Sequence, residues 1–244
     1  MDATVNGILN FDKPMRISSA GAVGRVKWLL GKKYKVGHAG TLDPFATGVL
    51  LILIGRATKQ CELLMGQPKR YVATIKLGAT TPTLDPTSEE VVSPVDAPVS
   101  RAAVEAVLSS FVGNVLQQPP AFSALKLGGR SAYKLARVGE AVELQPRHVR
   151  VYSINLLDYA WPLATIDVHC GRGTYVRALA RDIGEQLGVG GYLSALRRTA
   201  VGAYTVDTAV ALDALTSGDD VLRRMTAPVP PSGSDLLPDR PDSL

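Results

Sequence analysis

Apolar residues follow two kinds of pattern along the chain, one typical of strands and one typical of helices. These patterns predict its secondary structure. An unbroken aliphatic run at residues 49–54 predicts a buried strand, and single-residue alternation at 71–77 predicts a half-buried one. Apolar side chains three or four positions apart predict a helix that ends near Leu30, with Ser18 or Ser19 as its N-cap. The N-terminal part of the chain therefore contains both helix and strand.

Further along, the same spacings predict helices at 104–111 and 176–187 and strands at 149–157 and 164–170. A last strand is expected at 200–206 and a short helix at 209–215. Helices and strands follow one another without a regular βαβ rhythm, which is typical of α+β proteins. We therefore expect an α+β fold with a central mixed, largely antiparallel sheet that is flanked by helices.

The composition is that of a globular protein without disulfide bonds. Hydrophobic residues make up 46% of the 244 residues and charged residues 20%, which excludes wholesale disorder. Cys61 and Cys170 are the only cysteines, and this fits a reducing compartment. The longest aliphatic run is far shorter than a membrane helix needs, and the N-terminus lacks the pattern of a signal peptide. We therefore expect a cytoplasmic protein that does not enter a membrane.

The net charge of +5 is unevenly distributed along the chain. Residues 1–80 contain 12 lysines and arginines against 4 acidic residues, and residues 111–200 contain 11 against 6. Residues 81–110 and 201–244 are acidic. Two basic blocks suit a polyanionic partner, of which nucleic acid is the commonest, although a solvated basic surface also explains them.

The loop from Gly37 to Pro44 is the strongest local signal for chemistry. It places Asp43 between a glycine-rich turn and the buried strand at 49–54. Such an aspartate can form a turn or cap a helix, or it can be a catalytic carboxylate that acts as nucleophile or base. The histidines are far apart in the sequence and no HExxH or CxxC pattern occurs, so we do not expect a zinc site. No P-loop or GxSxG turn occurs either. From the residues alone, both interpretations of Asp43 stay open.

Six segments of the chain resemble the TruB-type tRNA pseudouridine-55 synthases, a bacterial family, over about residues 7–204. They are Asp12-Lys13-Pro14, the Gly37 to Pro44 loop with Ala46-Thr47-Gly48, Lys69-Arg70-Tyr71, Gln118-Pro119-Pro120 with Phe122-Ser123-Ala124-Leu125-Lys126, Cys170-Gly171-Arg172-Gly173-Thr174-Tyr175-Val176-Arg177, and Leu196-Arg197-Arg198.

The resemblance implies the pseudouridine synthase fold and an isomerase that converts uridine to pseudouridine at position 55, in the T-loop of tRNA. The bond from N1 to C1′ breaks, the uracil turns, and C5 is joined to C1′. Because a base inside a folded loop cannot turn, it is flipped out of the RNA. The family uses no cofactor and no metal. The essential carboxylate could add to C6, attack C1′, or act as a base and pass through a glycal.

The resemblance also implies roles for single side chains, with Asp43 as the catalytic carboxylate. Five others would bind the substrate: Tyr71 stacked on the flipped uracil, Arg177 paired with Asp43, Tyr175 and Leu196 in the uracil pocket, and His38 at the extruded loop. Each has an ordinary structural explanation when taken alone, and the joint pattern favours the functional one. The basic side chains expected at tRNA phosphates include Lys32, Lys33, Lys69, Arg70, Lys126 and Arg130.

The expected domain organisation follows from the same resemblance. Residues 1–207 would form the catalytic domain, with an RNA-gripping insertion at about 120–148. Residues 208–227 would form a short, truncated C-terminal helical region, and the proline-rich residues 228–244 a disordered tail. The chain departs from the family pattern at Arg16, where the family usually has glycine.

The sequence is compatible with three functions. The first is a tRNA pseudouridine synthase, which we expect to be monomeric, to bind the T-arm, and to need no protein partner. The second is an RNA-binding or tRNA-folding protein on the same scaffold without catalysis. The third is a synthase that acts on another RNA uridine within a similar loop.

Overall fold

Six helices and fourteen strands make up the described part of the chain. The structure is a computed structural model that describes residues 5–31, 33–123, 125–127, 129–140, 142 and 144–228. The helices are α1 Ser19–Leu29, α2 Cys61–Gly66, α3 Arg101–Ser110, α4 Ala132–Arg137, α5 Val176–Gln186 and α6 Gly218–Arg224. The strands are β1 Gly7–Lys13, β2 Val36–Ala39, β3 Thr47–Ile54, β4 Lys69–Leu77, β5 Ala79–Thr80, β6 Val91–Val92, β7 Gly113–Gln117, β8 Lys126–Leu127, β9 Arg130–Ser131, β10 Arg147–Ala160, β11 Leu163–Cys170, β12 Gly191–Val201, β13 Tyr204–Thr205 and β14 Val210–Ala211.

The chain divides into two compact units. Unit 1 comprises Met1–Tyr71 and Arg197–Leu244. Its strands lie in the order β14-β1-β3-β12, with β2 also paired to β3 and β13 to β12. Strand β3 runs antiparallel to β1 and parallel to β12. Because β3 is covered on both faces, residues 48–54 are all buried, which is why this stretch is an unbroken aliphatic run.

Unit 2 comprises Val72–Leu196. Its strands lie in the order β12-β4-β11-β10-β7, and the β10–β11 and β10–β7 pairs are antiparallel. Strand β4 buries every second residue, as the alternation at 71–77 predicts. Helix α5 buries Val176, Leu179 and Ile183, and its residues 177, 178, 180 and 184 are buried as well. The predicted α+β class with a mixed central sheet is therefore confirmed.

The helix predicted near the N-terminus is α1, and the structure shows why it starts there. The side chain of Ser18 accepts a hydrogen bond from the N–H of Gly21 and caps the helix. Ser19, the other candidate cap, is instead the first helical residue and is buried.

The prediction for the C-terminal part of the sheet was wrong in two places. The strand expected at 200–206 is instead the end of β12, which begins at Gly191, and the short strand β13, which pairs with it. The helix expected at 209–215 is replaced by β14 and 3₁₀ turns. Residues 120–148 hold α4 and the β8–β9 pair, and the 208–227 segment contains α6. The predicted tail lies almost wholly outside the described residues.

No helix in the described ranges is long and apolar enough to cross a membrane.

Glycines inside two helices give a matched test of packing. A Cβ at Gly184 in α5 would lie 2.3 Å from the backbone of Gly190, whereas a Cβ at Gly24 in α1 would meet nothing within 4 Å. We expect Gly184→Ala to lower the free energy of unfolding by about 1–3 kcal/mol through overpacking. Gly24→Ala should raise it by about 0.5–1 kcal/mol through helix propensity. Denaturant unfolding of both variants measures the difference, and equal effects would contradict the close approach of α5 to the start of β12.

Candidate active site

The loop that carries Asp43 lies in unit 1, between β2 and β3, and its backbone is held from several elements. The carbonyl of Asp43 accepts the N–H of Ala46 at 3.1 Å, which closes a turn directly after the aspartate. The carbonyl of Pro44 accepts the N–H of Arg16 at 2.8 Å. The Asp43 side chain is half-buried at this turn.

Arg198 is the main anchor of this loop, and it reaches the loop from β12. Its Nε donates to the carbonyl of Val49 at 2.7 Å, and its two terminal nitrogens donate to the carbonyls of Thr41 at 3.4 Å and Gly40 at 3.2 Å. The residue is only 2% exposed. A buried guanidinium needs partners for its donors, so these carbonyls fix the arginine and the arginine fixes the loop.

The close approach of β12 to β3 depends on Gly48. Its φ is +102°, and a Cβ at this position would lie 2.1 Å from the carbonyl oxygen of Arg198. Only glycine allows this backbone conformation and this contact. Gly48 therefore lets the backbone of β12 come close enough to β3 for the Arg198 side chain to reach the Asp43 loop.

Ser19 anchors the same loop from α1. Its hydroxyl accepts the N–H of Leu42 at 2.8 Å and donates to the carbonyl of Leu42 at 3.0 Å. Leu42 directly precedes Asp43, and both Ser19 and Leu42 are buried. Together with Arg198, Ser19 leaves little freedom to the backbone that presents the carboxylate.

Lys13 is a second buried cation that bonds to the backbone around this turn. Its ammonium donates to the carbonyls of Pro14 and Ile17, both at 2.9 Å, and to that of Pro44 at 3.5 Å. Burial lowers the pKa of Lys13 to about 8, against an opposing effect of the Asp43 carboxylate. Lys13 and Arg198 thus place two buried positive charges around the segment that carries Asp43.

His38 lies on β2, where its residue pairs with Ile52 of β3. Burial, and then the charge of Arg198, lower the pKa of its imidazole, so the ring is neutral at neutral pH. Its Nδ1 is buried, and within the described part of the chain it has no hydrogen-bond partner. Tyr71, also in unit 1, is 8% exposed on β4. The substrate-binding roles of both residues stay predictions.

Arg177 belongs to unit 2, in the first turn of α5, and is 5% exposed. Its guanidinium donates to the carbonyls of Thr83 at 2.9 Å and Phe122 at 2.8 Å, and lies 3.4 Å from the Asp85 carboxylate. Asp85 is also buried, and it accepts from the hydroxyl of Thr83 at 2.7 Å. The segment between β5 and β6 therefore supplies Arg177 with a buried anion. The predicted pairing of Arg177 with Asp43 stays a prediction.

Tyr175 is the N-cap residue of α5 and is fixed through its backbone. Its N–H donates to Oε1 of the buried Gln117 at 2.8 Å, and its carbonyl accepts from Nε2 of the same amide at 3.1 Å. The guanidinium of Arg147 lies over the tyrosine ring, 5.2 Å from its centre. Leu196 is 8% exposed on β12. Tyr175 and Leu196 remain predicted residues of the uracil pocket.

The predicted phosphate contacts differ in exposure. Lys33, Arg70 and Arg130 are exposed, and Arg130 forms a surface ion pair with Glu140 at 2.7 Å. Lys69 is buried, and its ammonium donates to the carbonyls of Met65 and Gln67. Two of the predicted contacts lie outside the described structure: Lys32, and the side chain of Lys126.

Four residues that hold these groups escaped the sequence analysis as site residues. Arg198 and Ser19 fix the Asp43 loop, Asp85 pairs with Arg177, and Gln117 fixes Tyr175. The Leu196-Arg197-Arg198 motif was a signal for Arg198. Among the described residues, no group of three or more histidine, cysteine, aspartate or glutamate side chains is placed to hold a metal ion.

Comparison with known proteins places this geometry in a class of RNA-modifying isomerases. A family model described as "TruB family pseudouridylate synthase (N terminal domain)" matches residues 27–176. A second, described as "tRNA pseudouridylate synthase B C-terminal domain", matches residues 177–230. The chain belongs to the TruB family of pseudouridylate synthases.

Relatives and solved structures agree with this assignment. A tRNA pseudouridine synthase B of Parabacteroides distasonis is 46% identical over 213 residues, which cover 85% of this chain and 90% of the relative. That of Burkholderia lata is 47% identical and covers 90% of this chain and 67% of the relative. The structure of a Cbf5-Nop10-Gar1 complex matches with a TM-score of 0.67 at 31% identity, over 86% of this chain. The match spans about half, 53%, of the chain in that complex.

The charge of Arg198 gives a test that does not depend on activity. Arg198→Met should raise the pKa of His38, because that charge is one of the causes that lower it. Arg198→Lys keeps the charge and should leave the pKa of His38 low. NMR titration of the imidazole measures both values, and a similar rise in the two variants would show that packing alone sets the pKa.

Lys13 should make the protein more stable as the pH rises from about 8 towards 10.5, the ordinary lysine value. Because the folded pKa is the lower one, the unfolded chain binds more protons in this interval, and the free energy of unfolding rises with pH. The rise reaches roughly 3 kcal/mol, at about 1.4 kcal/mol per pKa unit.

Denaturant unfolding across this pH range measures the rise. Lys13→Met should lack it, while Lys27→Met, at an exposed site of α1, should retain it. A Lys13→Met variant with the same pH slope as the wild type would contradict the lowered pKa.

Proposed function

We propose that this chain isomerises uridine to pseudouridine at position 55 in the T-loop of tRNA, with Asp43 as the essential carboxylate. The observation that carries the proposal is the fixed backbone around Asp43, in a chain whose relatives are named tRNA pseudouridine synthase B. A carboxylate that attacks or deprotonates a nucleotide must be held at a defined position, and a shift of about 1 Å can cost a hundredfold in rate.

The buried cations near the loop support an ionised carboxylate. Lys13 and Arg198 are both fully or almost fully buried, and the electrostatic interaction between Lys13 and Asp43 is attractive. Opposite charge favours the ionised form of a carboxyl group. An ionised Asp43 suits each of the three routes, namely addition to C6, attack on C1′, and base catalysis through a glycal.

The aromatic side chains support the handling of a flipped base. Extrusion of a base from a folded loop costs a few kcal/mol, and stacking on an aromatic ring returns about 1–3 kcal/mol. In the proposal Tyr71 stacks on the uracil, and Tyr175 and Leu196 line its pocket. His38, which is neutral at neutral pH, helps to hold the extruded loop without adding charge.

The remaining parts of the proposal concern the partner. Exposed basic residues contact tRNA phosphates, with Lys33 and Arg70 as the first candidates, because their side chains lie at the surface. The reaction needs no cofactor. The enzyme acts as a monomer in the cytoplasm, without a protein partner.

Release of tritium from tRNA labelled at C5 of uridine tests the reaction and the role of Asp43. The wild type should release about one tritium per tRNA, and Asp43→Asn none, because the variant lacks a carboxylate. Asp207→Asn, at an exposed 3₁₀ turn of unit 1, is the matched control and should react like the wild type.

Two other results would each contradict the proposed function and favour an alternative. Tight tRNA binding without release by the wild type would favour a binding or folding protein. Release at a different uridine, found by mapping the modified position, would favour a synthase for another loop.

A further inference from the structure

Arg16 adopts a backbone conformation that an arginine rarely occupies. Its φ is +70°, and among the described residues Leu84 is the other non-glycine residue with a positive φ. For an L-residue with a Cβ this left-handed conformation is less stable than the right-handed one. Glycine would avoid the cost at this position.

The surrounding structure imposes this conformation on Arg16. The N–H of Arg16 donates to the carbonyl of Pro44 at 2.8 Å. The buried ammonium of Lys13 donates to the carbonyls of Pro14 and Ile17, on either side of the turn. These bonds hold the backbone in the left-handed conformation whatever side chain stands at this position. The arginine is therefore not needed to produce the turn.

The side chain of Arg16 is placed at the edge of the Asp43 loop. Pro44, which accepts its N–H, directly follows Asp43 in the chain. The side chain is exposed, and the neighbouring Met15 is 54% exposed. In the part of the chain that the structure describes, the guanidinium has neither an ion pair nor a hydrogen bond. It contributes nothing visible to the fold that would offset the backbone cost.

Strained residues that the structure over-determines are concentrated at functional sites. A free guanidinium is suited to phosphate, because its planar fork of donors matches two phosphate oxygens. We propose that Arg16 binds a phosphate of the substrate RNA close to the nucleotide on which Asp43 acts. This inference rests on the proposed function, since it takes RNA as the substrate.

Arg16→Gly should change stability and binding in opposite directions. The melting temperature should rise by about 2–4 °C, because the strain is relieved. Binding of tRNA at low salt should weaken about tenfold, which corresponds to one charge-assisted contact. The slope of log K against log salt should become shallower by about 0.7–0.9, the contribution of one phosphate.

Two further variants separate charge from backbone. Arg16→Lys keeps the charge and the strain, so its melting temperature and salt slope should match those of the wild type. Arg101→Gln removes an exposed positive charge from α3 and controls for net charge, so its salt slope should not change. An equal loss of tRNA affinity and of salt slope in Arg16→Gly and Arg101→Gln would show that Arg16 acts only through the net charge of the protein. That result would overturn the proposal.

Neutral methylphosphonates placed one at a time around the target uridine identify the phosphate. At one position the substitution should weaken wild-type binding and should cause no further loss in Arg16→Gly, since both changes remove the same contact. Additive losses at every position would overturn the proposal. If the wild type neither binds nor modifies tRNA, the proposed function fails. If the wild type does both and Arg16→Gly keeps its salt slope, this inference alone fails.

Discussion

The buried guanidinium of Arg198 is the interaction on which the Asp43 loop depends. An arginine side chain without water must find acceptors for its donors, and here they are the carbonyls of Gly40, Thr41 and Val49. These bonds join the end of β12 to a loop that lies more than 150 residues earlier in the chain. The loop therefore has a defined shape only when the last long strand of the sheet is in place.

Two buried cations, Lys13 and Arg198, bond to carbonyls of this loop, and burying them costs free energy. Lys13 keeps its ammonium buried although burial lowers its pKa, and the pKa of His38 is lowered partly by Arg198. A chain selected for stability alone would gain from apolar residues at such positions. The retained cations are understandable if the carboxylate of Asp43 must stay ionised. The strained backbone of Arg16, at the edge of the loop, is a second feature that lowers stability and that function would explain.

The start of helix α5 shows the same principle in unit 2. Gln117 fixes the backbone of Tyr175 through both ends of its amide, and Arg177 is bound by two carbonyls and by Asp85. Each of these polar groups is buried and satisfied by residues distant in the chain. In each of the two regions, the residues predicted to act on the substrate are held by buried polar side chains from other elements of the fold.

The sequence by itself determined the elements with a clear apolar pattern, such as β3, β4 and α1, because backbone sterics and apolar burial act locally. It also singled out Asp43, through the glycine-rich loop before the buried strand. It misplaced the start of β12, since Arg197 and Arg198 have the polar character of surface positions while Arg198 is almost fully buried. The partners of Arg198, Ser19 and Gln117 were decided by the tertiary structure alone. Hydrogen bonds across long loops depend on which strands become neighbours, and no local pattern of residues encodes that.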